Sequence, residues 1–367
     1  MAITKTRIDL LDVFRFIAIF LVIFFHYFSA FARPGIEVPH SSPYSEFILF
    51  KYGYLGVELF FMISGFVIFL TLENCRSIKS FFIKRIIRLF PAMLVCSVFT
   101  YIAVSLIDHD MRFPGLHRPL ESFLPSLTFT DTFIWEPILG KKVGYIDGAY
   151  WSLAVEVKFY ILSACLYFID KKNFLRNWLL LSLFSVGTQI ILIQDPFGFR
   201  AIRAISFFSQ AVNFLLFPKY ITFFTLGIFF YKKFMRQAIS PLLMMGITVL
   251  FMMQLFFVEL VKNDWIEKSF ILSFAAIFIL FVYKREWLQP VSNKMFAGVG
   301  LASYSLYLIH QSVGIILIHY LHNQFGGFVD RATIVVLVIL IMVVVALLIY
   351  TKIEKPVMAF GKRLYES

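Results

Sequence analysis

The chain has 367 residues, 60% of them hydrophobic and only 15% charged, where a soluble domain carries about a quarter charged residues. Long continuous apolar runs rich in Phe exclude both a soluble globular protein and a β-barrel, whose strands read as short alternating segments. The net charge of +12 would suggest nucleic acid if the cations shared one soluble face, but they fall between the apolar runs, so no nucleic-acid partner is expected.

Lys5 and Arg7 precede an apolar run to about Phe31, and Ala30-Phe31-Ala32 mimics a signal-peptidase site. The run exceeds the roughly 7 to 15 residues of a signal-peptide core, and Arg15 interrupts it, so it reads as a first span. A spanning helix needs roughly 20 apolar residues, which places spans near 9–31, 52–72, 87–107, 149–169, 177–194, 204–230, 241–260, 269–283, 297–320 and 333–351. The sixth is too long for one straight helix and contains Pro218, which predicts a break there. The expected fold is all-α: a polytopic integral membrane protein of about ten transmembrane helices, with 1–367 as a single domain and no internal repeat.

Charge placement tests that topology. Every second loop is basic. The set that includes Lys5, Arg7, Arg76, Lys84, Arg85, Arg88, Lys171, Lys232, Lys284, Lys352, Lys362 and Arg363 holds twenty cations against seven acids, while the opposite side is close to neutral. Lys and Arg mark the cytoplasmic side, so both termini are expected in the cytoplasm. The longest loop, 108–148, then lies outside with His109, Arg112, His117, Arg118, Asp131, Trp135, Lys141 and Lys142. A loop of that length is either functional or a solvated connector. Cys75, Cys96 and Cys165 have no CxxC or Cys/His spacing, so neither a metal site nor a disulfide scaffold is expected.

Several ionisable residues lie inside spans, where anchoring does not need them. Arg15 and His26 are eleven residues apart, which returns them to within about 20° on one helix face and separates them by about 16 Å. A lone buried His is usually a satisfied polar group, and a terminal Arg usually snorkels. Sharing one face, they point to a cavity rather than to lipid. In the second span Glu58 can orient His26 or simply accompany packing through Gly56, Ser64 and Gly65. Arg85 and Arg88, one turn apart, suit phosphate oxygens, although positive-inside anchoring explains them equally well. The fourth span carries Trp151, then Ser152 and Glu156 on one face. Capping by Ser152 and charge balance between Glu156 and Lys158 are the structural alternatives. In the ninth span Tyr304, Tyr307 and His310 form a polar stripe.

These motifs, in order, resemble the transmembrane acyltransferase family 3, whose members O-acylate extracytoplasmic glycans and related acceptors. The resemblance rests on Arg15 with ten residues before His26, Gly56-Val57-Glu58 with Phe60-Phe61 and Ser64-Gly65-Phe66, and Arg85 and Arg88 before Pro91. It continues through Trp151-Ser152-Leu153 with Glu156, Ser303-Tyr304-Ser305-Leu306-Tyr307 with His310, and Ile353-Glu354-Lys355-Pro356. It implies an O-acyltransferase, most often an O-acetyltransferase, that takes an acyl group from cytoplasmic acyl-CoA, with acetyl-CoA as cosubstrate and no permanently bound cofactor or metal. His26 becomes the general base, with Arg15 and Glu58 in the catalytic set. Arg85, Arg88 and Ser64 become the donor-binding set, and Trp151, Ser152, Glu156, Tyr304, Tyr307 and His310 the acceptor side.

The implied setting is a bacterial inner membrane, with lipid around the protein and a lipopolysaccharide O-antigen unit or an exopolysaccharide as acceptor. Two departures stand out: the family usually has Asp at position 58 and Glu-Gln at 157 and 158. Many members fuse an esterase-like domain. The sequence ends at Ser367 without one, so it is expected to complete the transfer alone or to hand the acyl group to a separate periplasmic protein. The competing readings are a glycan or lipid-linked exporter, with Arg15, His26, Glu58 and Glu156 as a proton relay, and a scaffolding subunit of a glycan synthase.

Overall fold

A computed structural model of the protein describes residues 9–29, 44–194, 203–258 and 264–366. Lys5, Arg7 and Ala30-Phe31-Ala32 lie outside the described residues. The elements are helical throughout, with no strand among the described residues. The long helices are α1 (Asp9–Phe24), α2 (Gly56–Glu73), α3 (Ile78–Ile107), α4 (Trp151–Ile169), α5 (Phe174–Gln194), α6 (Arg203–Leu216), α7 (Ile221–Phe234), α8 (Pro241–Phe257), α9 (Trp265–Tyr283), α10 (Lys294–Leu301), α11 (Ser303–Phe325), α12 (Arg331–Ile349) and α13 (Lys355–Glu366). Nine helical stretches among the described residues are long and apolar enough to cross a membrane. The tenth, α8, has 17 residues and is about 25 Å long.

Three features bear on the expected spans. The sixth span breaks where Pro218 predicts: α6 ends at Leu216, Phe217 takes a positive φ of 38°, and α7 starts at Ile221. Helix α3 begins at Ile78, nine residues before its apolar run, and passes through Pro91. Charge ends an apolar window without ending a helix, because Lys and Arg at a helix end extend their heads to water. Third, the C-terminal ends of α1 and α12 widen into single π-turns, Phe25–Ser29 and Tyr350–Glu354. Such turns are rare and concentrate at functional sites.

The described residues gather into two compact units. The first joins Met1–Val57, Phe82–Ala154 and Val291–Ser367; the second joins Glu58–Phe81 and Val155–Pro290. In the first unit α1 packs along α10 and α11, and α11 against α12. Two glycines set the register of that packing. A Cβ on Gly300 would lie 1.8 Å from the Asp12 carbonyl oxygen, and one on Gly314 would lie 1.8 Å from the Tyr27 hydroxyl. The contacts advance together, so α1 and the α10–α11 rod run parallel. The second unit is organised around aromatic packing, with the Phe159 and Phe224 rings stacked at 4.1 Å.

Candidate active site

Within the first unit the π-turn after α1 presents His26, and the ring beside it is that of His310 on α11, with centroids 5.1 Å apart. His26 lies seventeen residues past Asp9, about 25 Å along the helix, close to the end of a hydrocarbon core roughly 30 Å thick. His310 is fully buried. Its Nδ1 lies 2.7 Å from the Tyr307 carbonyl oxygen. A carbonyl only accepts, so Nδ1 carries the proton and Nε2 of the neutral ring keeps its lone pair.

A cage of hydroxyls and one carboxylate holds this stretch of α11. The Tyr27 hydroxyl donates to the His310 carbonyl at 2.8 Å, and the Tyr150 hydroxyl donates to the Leu308 carbonyl at 2.9 Å. Tyr307 donates to the Ala149 carbonyl at 2.9 Å and lies 2.7 Å from the Ser152 hydroxyl. Asp147, fully buried, accepts from Ala149 N at 2.9 Å with Oδ1 and from Ser312 N at 2.8 Å with Oδ2. It therefore caps the turn into α4 while gripping α11 two residues past His310. Sequence reasoning missed Asp147. The available signal was an Asp just before Gly148 at a helix start, a capping position, but it looked like one more loop acid.

At the other end of the unit, Arg15 Nη1 is 2.5 Å from Asp12 Oδ1. Arg88 pairs with Glu354, which the second π-turn delivers into the interior, and the Ser305 hydroxyl donates to the same carboxylate. Arg88 also stands over the Tyr304 ring, at 5.4 Å from its centroid, while the Tyr304 hydroxyl donates to the Leu89 carbonyl at 3.0 Å. Arg85 lies one turn before Arg88 on α3. The charge expected to meet phosphates at Arg88 is thus already engaged by a buried carboxylate.

In the second unit Glu156 accepts the hydroxyls of Ser64 at 2.5 Å and Tyr160 at 2.6 Å. Lys158 stands 4.6 Å over the Phe214 ring. Glu58 is buried there, with Tyr220 and Glu267 as its electrostatic neighbours. Trp151, in the first unit, is 37% exposed. Eight of the twelve site residues named from sequence therefore fall into three clusters. His26 stands with Tyr307, His310 and Ser152, Arg88 with Tyr304, and Ser64 with Glu156.

The 108–148 loop is structured. His117 Nε2 lies 3.0 Å from Asp108 Oδ2, and Asp108 also accepts from Arg112 N and Phe113 N at 3.0 Å each. Burial, with Asp131 nearby, pushes the Tyr145 phenol up, and the hydrogen bond from Lys141 holds the Glu121 carboxyl down. Among the described residues no group of three His, Cys, Asp or Glu is placed to hold a metal ion.

An all-helical membrane protein with a buried histidine beside a half-buried one at one end and paired arginines at the other fits a transmembrane group-transfer enzyme. The acyltransferase domain family matches residues 8–351, and the chain belongs to that family. Among its relatives, the O-acetyltransferase OatA of Staphylococcus aureus strain NCTC 8325 / PS 47 is 26% identical over 363 residues, covering 92% of this chain and 57% of the relative. The putative O-acetyltransferase SACOL0978 of Staphylococcus aureus strain COL is 25% identical over 302 residues, covering 74% of this chain and 47% of the relative. The chain thus spans about half the length of these curated relatives. No solved structure matches it.

Proposed function

We propose that this acyltransferase is an O-acetyltransferase of the bacterial inner membrane. It moves an acetyl group from cytoplasmic acetyl-CoA to a hydroxyl of an extracytoplasmic glycan such as an O-antigen unit or an exopolysaccharide. The observation that carries the reading is the histidine pair, 5.1 Å between centroids, at the end of α1 opposite to its arginine. An alcohol is a weak nucleophile at neutral pH, and a base in hydrogen-bond reach is worth typically 10² to 10⁴-fold.

In this mechanism His26 takes the hydroxyl proton as the oxygen attacks the thioester carbonyl. The new C–O bond replaces the C–S bond, and CoA leaves as the thiolate, which recovers the proton. Tyr307, Ser152 and His310 hold the acceptor side, while Arg15 and the Arg85–Arg88 turn face the donor. The acetylating names of the relatives and the family's motif order support the chemistry. A separate periplasmic protein can serve as the next acyl carrier.

The test is purified protein in lipid vesicles with acetyl-CoA labelled in the acetyl group and a bacterial envelope glycan fraction outside. Wild type should label the glycan, and His26→Ala should lower the rate about 10² to 10⁴-fold at unchanged thermal stability. Labelling that persists at the wild-type rate in His26→Ala removes the base assignment. Glycan transport without labelling favours an exporter.

A further inference from the structure

The start of the 108–148 loop and the outer end of α11 take no part in the mechanism above, yet they enclose a cavity between them. Helix α3 ends at Ile107, nineteen residues past Arg88 and about 28 Å further along, so on the topology expected from charge placement this end faces the acceptor side. The cavity lies between residues 107–113 and the last turns of α11 and has a volume of about 100 Å³, several times the roughly 10 to 15 Å³ that holds one water. Its loop wall is fixed: the buried Asp108 accepts from Arg112 N, Phe113 N and His117 Nε2 at 3.0 Å each. The loop then returns to α11 through Asp147, which accepts from Ser312 N at 2.8 Å.

The less exposed part of the lining is apolar, with Ile107, Phe113 and Ile316, and the exposed part is polar. His319 joins the two: its ring meets Phe113 edge to face at 4.9 Å, and its Nε2 lies 3.3 Å from Arg112 Nη1 and 3.0 Å from Asn323 Nδ2. Both neighbours are donors, so Nε2 accepts and Nδ1 carries the proton. That Nδ1–H is buried with no partner among the described residues, a rare state in native proteins that a ligand oxygen relieves. The charges on the rim are already matched. Arg112 Nη2 lies 3.7 Å from Asp110 Oδ2, and Asp110 Oδ1 lies 3.1 Å from His109 Nε2. An anion would have to displace Asp110 and a cation would have to displace Arg112, whereas a hydroxyl accepts from one and donates to the other. Neutral amides on Asn323 and Gln324 complete the rim. Apolar and aromatic surface beneath fixed donors and acceptors suits a sugar ring, whose face is C–H and whose edge is hydroxyl.

We propose that this cavity is a subsite for one uncharged sugar ring of the acceptor glycan. The inference rests on the glycan-acceptor reading above and deepens it. His319 lies nine residues past His310 on α11, half a turn round the helix and about 13.5 Å further out. The cavity is therefore separate from the cage around His310, and the ring it holds is not the one being acetylated. Binding energy from such a remote part of a substrate holds an extended acceptor at the protein surface. An acidic sugar would reach the same Arg112, and the experiment separates that case.

The experiment uses the full chain in nanodiscs and a bacterial envelope glycan fraction cut into oligosaccharides, which anion exchange separates into uncharged and acidic pools. Binding of each pool is titrated by saturation-transfer NMR, and KM and kcat are measured for each with labelled acetyl-CoA. Wild type is compared with Arg112→Ala/Asn323→Ala, which removes two exposed rim groups, and with Gln324→Trp, which narrows the cavity and leaves Arg112 in place. Both variants should weaken binding of the uncharged pool about tenfold and raise its KM by the same factor, with a much smaller change in kcat. Failure of wild type to bind the uncharged pool overturns the proposal, as does equal binding by wild type and both variants. A loss confined to the acidic pool and to the Arg112 variant also overturns it and assigns the cavity to an anion. So does a fall in kcat that tracks a lower melting temperature, which assigns these side chains to folding. If the uncharged pool binds through these residues but receives no acetyl group, the transfer reading fails and the sugar site stands. If wild type labels the glycan and both variants match it in binding and KM, only this inference fails.

Discussion

At one end of α1 Arg15 lies against Asp12 and, in the same unit, Arg88 lies against Glu354; at the other end His26 stands next to a second histidine whose own ring is pinned by a carbonyl. The arginine end stores charge in compensated pairs. The two histidines at the other end become charged only by taking up a proton. Paired charges are held by their partners, and removing one partner strands the other. The His310 ring is held by a main-chain carbonyl rather than by an ion pair. Under the proposed mechanism, loss of an arginine therefore mixes folding with donor binding, whereas loss of His26 separates chemistry from folding.

The sharpest way to break this contrast is Arg88→Ala. It leaves Glu354, 1% exposed, without its cation, and stranding one member of a buried pair costs about 3 to 5 kcal/mol. Thermal unfolding in detergent should show a large loss of stability, and Arg88→Ala/Glu354→Gln should recover most of it without recovering acetyl-CoA affinity. A single variant as stable as wild type would show that the pair carries no structural role.

Next comes Asp147→Asn. An amide cannot accept from both Ala149 N and Ser312 N, so one buried N–H loses its partner at a cost of about 1 to 3 kcal/mol. The expected outcome is lower stability with a fall in turnover, since the lost bond lies two residues from His310. Turnover unchanged at full stability would detach Asp147 from the site. The smallest effect is expected from Ser152→Ala, which removes the hydroxyl beside Tyr307. A loss of about 1 kcal/mol should appear as a modest shift in melting and a change mainly in KM for the acceptor. A kcat loss as large as that of His26→Ala would move Ser152 into the chemistry.

Much of the fold was legible because spans obey one strong rule: about 20 apolar residues between basic and neutral loops. Pro218 gave its break for the same reason that proline breaks any helix. The start of α3 was not legible, since Lys79, Lys84 and Arg85 end the apolar window while the helix continues to Ile78. Neither were the π-turns, which add one residue to a turn without changing composition. In the site, Arg15 and His26 were visible because they share one helix, where 100° per residue fixes their phase. The partners Asp147, His310 and Glu354 come from other helices, and no spacing rule reaches across 284 residues from His26 to His310. Glu354 appeared in a motif, yet nothing in its neighbours announced an arginine on α3 as its partner.

The two glycine contacts along α1 act as a vernier. With Gly300 against Asp12 and Gly314 against Tyr27, the rods are indexed at two points, and His310 lies between Gly300 and Gly314. Inserting one residue between Leu301 and Tyr307 would rotate His310 by about 100° and advance it by about 1.5 Å if the lower contact holds, turning its ring away from His26. If the upper contact holds, the mismatch falls on Gly300 instead. In this part of the molecule the length of the chain between two glycines is as much a part of the site as the side chains it aligns.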